Sequence, residues 1–317
     1  MRTCTLLSFL LAASATLAAE PAAKESPAWA KRDLRVGIIG TDTSHVPAFA
    51  GIMAKHPEWR LKPVAAFKGG NPDMPTSINR VEGFAKGLQD RYGVELVGSI
   101  EELLPKVDVI MLQSVDGGQH LAQVIPVFKA GKTVFIDKPL ANTAQDARKI
   151  AALSKETGTP FFSASAMRYD GNIAQLRNNP GVGKVLRVEA PGQAEPFYGI
   201  HAVEALFGVM GPGCVSVTQT KGVTTGKWKD GRLGILRQGG GEKLPRVRVI
   251  GTEATADFVE SGAGVYDALV RQIAEFLHTG KSPLSAEESV ESIEFISAAQ
   301  LSRERNGVEV LLEEFRK

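Results

Sequence analysis

Between residues 34 and 165, short apolar runs rich in β-branched residues alternate with helix-like runs. That alternation restricts the fold more than any other feature. "LRVGIIG" (34–40), "LKPVAAF" (61–67), "VELVG" (94–98), "VDVIMLQS" (107–114), "TVFIDKP" (133–139) and "PFFSAS" (160–165) read as strands. Between them lie the helical stretches "VPAFAGIMAKH" (46–56), "TSINRVEGFAKGLQDRYG" (76–93), "SIEELLP" (99–105), "GGQHLAQVIPVFKAG" (117–131) and "NTAQDARKIAALSKETG" (142–158). This spacing implies βαβ units and a doubly wound parallel sheet of Rossmann type. Thr76 or Ser77 is expected to cap the 76–93 helix and Gly93 to end it. Asn142 is expected to cap the 142–158 helix and Gly158 to end it. Pro126 is expected to interrupt the 117–131 helix.

Past Arg168 the rhythm changes. Strand candidates at 183–190, 214–222, 232–238, 245–253 and 254–260 follow one another closely, separated by Gly-rich turns, which suggests a mostly antiparallel sheet. Two long helices, 265–280 and 286–307, complete an α+β domain over 166–317. A chain of 317 residues is long enough for two such domains.

The first nineteen residues carry Arg2, an apolar run from Leu6 to about Leu17, and then small residues. They read as a secretory signal peptide (1–19), with cleavage expected after Ala18 or Ala19 and a polar linker over 20–33. The apolar run is too short for a membrane span, and none is expected in the mature chain. Cys4 leaves with the signal, so Cys214 has no internal partner. No twin-Arg pair precedes the apolar run, so the chain is expected to be exported unfolded and to be periplasmic or secreted. Any dinucleotide would then be acquired after export. The net charge of +2 and the absence of a basic stripe argue against nucleic acid as a partner. No His/Cys/Asp/Glu set has metal-ligand spacing, so no metal is expected.

"GIIGTDTSH" (37–45) falls where a Rossmann domain carries G-x-G-x-x-G, the glycines that admit a dinucleotide pyrophosphate. Gly40 fits the first glycine, but Asp42 stands at the second and His45 at the third. The Asp42 carboxylate at a helix N-terminus would repel phosphate, unless it turns away to cap the helix. His45 replaces the glycine that lets helix and strand pack closely. Thr41, Thr43 and Ser44, by contrast, offer hydroxyls and amides. Lys68 ends the second strand, where an acidic residue usually grips the ribose. It would suit a 2′-phosphate, hence NADP over NAD, or is a solvated loop lysine.

"AGKTVFIDKPLANTAQDA" (130–147) is the most specific stretch. It resembles the Gfo/Idh/MocA family, in which an acidic-Lys-Pro motif ends the fifth strand of a Rossmann domain. His120 lies ten residues before Ala130, where the family usually has a His. "AMRY" (166–169), "GIHAVEALFGVMG" (199–211) and the C-terminal helices are similar as well, so the resemblance runs from 34 to about 312. It implies NAD or NADP as cofactor and a small-molecule substrate, a sugar or polyol oxidised at a hydroxyl. It also implies a homo-oligomer formed through the second-domain sheet.

By that resemblance Lys138 stabilises or relays the hydroxyl proton. Otherwise it is a surface lysine paired with Asp137. His201 would be the second proton carrier, although the Asp found four residues earlier in many members is Phe197 here. Alternatively His201 is an inert histidine at a helix start. Ser114, His120 and Asp137 would border the cofactor. Arg168 and Tyr169 would face the interdomain cleft, where the Arg holds an anionic group or makes an interdomain salt bridge. Two rival functions keep the same fold: an NAD-using glycosidase or lyase without net redox, and a non-catalytic sugar-binding protein.

Overall fold

A computed structural model describes residues 25–177, 179–195, 198–238, 247–258 and 264–316. The expected signal peptide, with Cys4, and Phe197 lie outside the described residues. Six strands form a parallel sheet: β1 (Leu34–Ile39), β2 (Leu61–Phe67), β3 (Glu95–Val97), β4 (Val109–Leu112), β5 (Val134–Ile136) and β6 (Phe161–Phe162). Their order is β3-β2-β1-β4-β5-β6. The order reverses between β1 and β4, and ligands of such sheets bind outside the carboxyl ends of the strands at that point.

The crossovers are α1 (His45–Lys55), α2 (Pro75–Ile78) with α3 (Val81–Tyr92), α4 (Ile100–Leu103), α5 (His120–Lys129) and α6 (Ala144–Thr157). A short α7 (Gly171–Arg177) leads out of the first domain. The second sheet comprises β7 (Val185–Pro191), β8 (Cys214–Thr220), β9 (Val223–Trp228), β10 (Leu233–Arg237), β11 (Val247–Gly251), β12 (Thr255–Phe258) and β13 (Val310–Leu311). Its order is β12-β11-β7-β10-β9-β8-β13, antiparallel except where β10 lies parallel to β7. The helices α8 (Gly199–Met210) and α10 (Ala286–Glu304) cover one face of it.

The helix α9 (Val265–Thr279) crosses back to the first domain. Its Leu269, Val270, Ile273 and Phe276 pack with Phe49 of α1, Phe135 of β5 and Phe162 of β6 in one buried cluster. The first sheet is therefore covered on its α1 face by a helix that is remote in sequence. This brings the start of α9 to the carboxyl edge of β1 and β5.

Several expectations are corrected locally. The 76–93 helix is broken at Asn79 and Arg80, and Ser77 lies inside the short α2 rather than at a cap, its hydroxyl donating to Asp42. Thr143, not Asn142, caps α6, and Asn142 is drawn to Asp116. Pro126 lies inside α5 without ending it. Gly93 and Gly158 end their helices in left-handed conformations, as the sequence suggests. The strands β9 and β13 were not anticipated.

The second core is built around Trp228, which is 2 % exposed and donates Nε1–H to the Gly211 carbonyl at 2.9 Å. Gly226 and Gly234 face each other across β9 and β10 and leave the slot that the indole fills. A Cβ on Gly234 would come 2.7 Å from Trp228 Cζ3. Gly234→Ala should cost about 1–3 kcal/mol by overpacking, read as a lower urea midpoint. An unchanged midpoint would mean that the slot is not filled in this way.

Candidate active site between the two domains

The β1–α1 turn begins at Gly40, whose φ of +84° and close neighbours both demand glycine. A Cβ there would meet the Ser114 backbone nitrogen at 2.4 Å. The amides of Gly40 and Thr41 donate to the Phe67 and Lys68 carbonyls at 3.0 and 2.8 Å, which ties the turn to the end of β2.

Asp42 neither faces a phosphate nor caps α1. Its Oδ1 accepts from the Val115 amide at 2.9 Å and its Oδ2 from Ser77 Oγ at 2.6 Å, and the residue has no solvent exposure. Ser44 is the N-cap of α1 but makes no side-chain cap bond, and the first turn holds no acidic residue. No carboxylate caps the helix from its own first turn, and the one beside its start is Asp137, bonded to His45.

The hydroxyl of Thr41 donates to Val81 O at 3.1 Å, and that of Thr43 accepts from the His45 amide at 3.4 Å. Thr41, Asp42 and Thr43 thus direct their side chains to the protein rather than to a ligand, and only Ser44 of the turn is exposed. Lys68 Nζ lies 2.6 Å from Glu82 Oε1, which removes the ground for preferring NADP.

His45 does not simply fill the space of a missing glycine. Its ring stacks on Phe49 with centroids 4.8 Å apart and meets Tyr266 edge-on at 5.1 Å. Nδ1–H donates to Asp137 Oδ2 at 2.7 Å, and both side chains are at least 96 % buried. Burial alone would raise the Asp137 carboxyl. The charge and hydrogen bond of His45, with Lys138 nearby, hold it below its ordinary value. Its Oδ1 accepts from the Lys138 backbone amide at 2.8 Å. The carboxylate is thus occupied, and the half-buried Lys138 ammonium makes no ion pair among the described residues. The Lys138–Pro139 peptide is cis.

His120 and Ser114 brace the sheet edge and do not border an open groove. The fully buried His120 ring has Nε2 2.8 Å from Ser114 O and Nδ1 3.2 Å from Leu140 O, and burial pushes its pKa down. Ser114 Oγ donates to Gln123 Oε1 at 2.8 Å.

Between the domains lies a cavity of about 560 Å³, lined by Met167, Gly192, Glu195, His201, Gln238 and Tyr266 among others. His201, in the first turn of α8, has Nδ1 2.7 Å from Ser165 Oγ. A serine from the first domain thus meets the imidazole that lacks an Asp four residues upstream. Arg168 does not reach this cavity. Its Nε and Nη2 bond Glu204 of α8 at 2.7 and 3.2 Å, and Nη1 bonds Glu288 of α10 at 2.6 Å. Burial would depress this guanidinium, but the two carboxylates raise it overall. It is a buried salt bridge that ties the segment just past the first domain to two helices of the second, and its guanidinium is fully engaged by them. Tyr169 packs edge-on to Phe162, and its buried hydroxyl has no hydrogen-bond partner among the described residues.

Three residues escaped the sequence reading: Ser165, Tyr266 and Gln113. The first two are invisible to motifs because helix packing brings them to the cleft. Gln113 could have been noticed as a polar residue ending a wholly apolar strand. Among the described residues no group of three or more His, Cys, Asp or Glu could hold a metal, and no helix is long and apolar enough to cross a membrane.

Residues 34–165 match the model of an oxidoreductase family with an NAD-binding Rossmann fold, Gfo/Idh/MocA. The first domain belongs to this family. An inositol 2-dehydrogenase of Cereibacter sphaeroides is 31% identical over 145 residues, 45% of this chain and 40% of the relative. A 1,5-anhydro-D-fructose reductase of Ensifer adhaerens is 28% identical over 169 residues, 53% of this chain and 46% of the relative. The alignments thus span less than half of these Gfo/Idh/MocA relatives. Over the whole fold the chain is similar to a probable dehydrogenase of Thermotoga maritima, with a TM-score of 0.70, 19% identity, and 89% and 100% of the two chains covered. It is also similar to the WlbA dehydrogenase of Bordetella pertussis, solved with NADH and UDP-GlcNAcA, with a TM-score of 0.69, 17% identity, and coverage of 89% and 98%.

The buried histidines set a pH dependence. His120 and His278 both have pKa values lowered by burial, below the ordinary 6.5. In the window below that value the unfolded chain takes up protons that the folded chain refuses, so stability falls as pH falls. The urea midpoint should drop between about pH 7 and pH 5, and His120→Gln should flatten the slope. An identical slope in the variant would show that His120 is not held neutral in the fold.

Proposed function

We propose that the chain is an NAD(P)-dependent oxidoreductase acting on a hydroxyl of a sugar or polyol, the substrate class that the relatives' names suggest. The reading rests above all on the turn at Gly40, within the family-matched residues, whose positive φ and close approach to Ser114 demand glycine and which leads into α1. Of this turn the exposed Ser44 suits a pyrophosphate oxygen, while the His45 and Val46 amides already bond Thr43. The nicotinamide, when bound, supplies the hydride acceptor. Lys138, at the carboxyl end of β5, steadies the hydroxyl as its proton leaves. His201 exchanges a proton within the cleft, with Ser165 setting its ring orientation.

A second reading, a carbohydrate-active enzyme without net redox, is favoured by the burial of Thr41, Asp42 and Thr43 beneath Ser77 and Val81. The N-terminal apolar run supports a periplasmic or secreted location for either.

Denaturing the purified full chain and analysing the supernatant by mass should release NAD or NADP. Otherwise, calorimetric titration should detect one of them. If none is released and neither binds up to millimolar concentration, the oxidoreductase reading fails. Lys138→Ala should lower turnover of a responsive polyol by about 10²–10⁴ with an unchanged melting temperature. Lys138→Arg should not restore it, because Arg does not release its proton. Activity within a fewfold of wild type would remove Lys138 from the chemistry.

A further inference from the structure

The crevice at the switch point lies between the exits of β1 and β4, and in this chain a segment leaving β2 is tied across it. The segment starts at Gly69 and Gly70, whose positive φ values of +61° and +100° suit glycine. A Cβ on Gly69 would lie 3.4 Å from the Gly40 Cα, so the backbone passes directly against the β1–α1 turn. Residues 71–80, with Pro72, Pro75 and the short α2, then fold back over both exits. Toward β1, the buried Ser77 hydroxyl donates to Asp42 Oδ2 at 2.6 Å. Toward β4, Asn71 Nδ2 donates to Asp116 Oδ2 at 2.8 Å, and the Gly70 carbonyl accepts from Gln119 Nε2 at 3.3 Å. The Asn71 amide donates to Ser77 Oγ at 2.7 Å, which joins the ends of the span.

Beneath the span lies the turn whose place in a Rossmann domain receives the pyrophosphate. Thr41, Asp42 and Thr43 there are 0, 0 and 5 % exposed. Asp42 closes the crevice from below as well, because its Oδ1 accepts from the Val115 amide at the β4 exit at 2.9 Å. The chain's own carboxylate thus engages donors of the kind a phosphate oxygen takes. An incoming dinucleotide meets a covered turn and an anion already in place. The span itself is lightly held. Of residues 71–80 only Ser77 is buried, Ile78 is 50 % exposed, and none belongs to a buried apolar cluster. Segments with few buried apolar contacts open at low free energy.

We propose that residues 69–80 form a strap that closes the crevice, latched by Ser77 on Asp42, and that a dinucleotide reaches the β1–α1 turn only when the latch opens. Gly69 and Gly70 are the hinge, while Pro72, Pro75 and α2 stiffen the strap so that it moves as a piece. The apparent affinity is then the intrinsic affinity scaled by the fraction of chains that are open. The inference rests on the oxidoreductase reading for the identity of the ligand, and the closure itself does not depend on it.

Ser77→Ala removes the latch donor. Hydrogen exchange of the full chain without ligand is read on peptides covering 41–46 and 69–80. Both should exchange about tenfold faster in Ser77→Ala, the loss of one hydrogen bond to a charged group, with peptides from β8 and β9 unchanged. Calorimetric titration with NAD and with NADP should show an affinity raised by up to the same factor. Exchange over 41–46 that is indifferent to Ser77→Ala overturns the strap. Equal nucleotide affinity in the wild-type and Ser77→Ala chains overturns it too, and leaves the oxidoreductase reading standing. Exchange that rises as expected, with no nucleotide bound by either chain, sinks that reading and leaves the closure in place. If Ser77→Ala accelerates exchange in β8 and β9 as well, the fold as a whole has been weakened, and Asn71→Ala, which frees the other end of the strap, decides on the same criteria.

Discussion

Asp137 is a carboxylate with almost no access to water, held below its ordinary pKa at the edge of a parallel sheet. A charge there is tolerable only if its oxygens are fully engaged. His45 and the Lys138 amide engage them, and the surrounding geometry follows from that requirement. The pair ties the start of α1 to the end of β5 across the switch point. It keeps Lys138 from being neutralised by its own neighbour. It also sets the His45 ring against Tyr266, which arrives from the far end of the chain on α9.

A second buried charge organises the other side. Arg168, just past the first domain, enters a site made by Glu204 and Glu288 from two helices of the second. Breaking such a pair strands a buried charge and costs about 3–5 kcal/mol, so the connecting segment is held firmly to the second domain beside the cleft. The cavity lies between these two anchored edges. Its wall carries His201 from one domain, and Tyr266 in that wall packs on His45 of the other.

Much of the fold was legible in the sequence. The apolar runs at 34–40 and 61–67 are buried parallel strands, and Gly93 and Gly158 end their helices because both need left-handed backbone. What failed did so for tertiary reasons. The 76–93 pattern is helical throughout, yet the structure splits it into α2 and α3, and Ser77 in α2 is bonded to the Asp42 carboxylate 35 residues away. The strand β9 contains Gly226, a poor strand former locally, required by the Phe295 ring of α10 and by the Trp228 indole two residues along the same strand. Of the site residues expected from motif context, His201 lines the cavity, while Lys138 stands at the carboxyl end of β5 outside its lining. The pairing of His45 with Asp137 spans 92 residues and leaves no local trace. The Asp42 carboxylate could not be placed either, since its direction is set by an amide on β4's exit and a hydroxyl on α2.

The central claim is that Asp137 is ionised and holds the proton of His45 on Nδ1. Two-bond ¹⁵N spectroscopy of the histidine rings in the folded chain at neutral pH tests it directly. The account predicts that His45 carries a proton on Nδ1, against an ionised Asp137. A His45 ring carrying its proton on Nε2, with Nδ1 bare against a protonated Asp137, would contradict it.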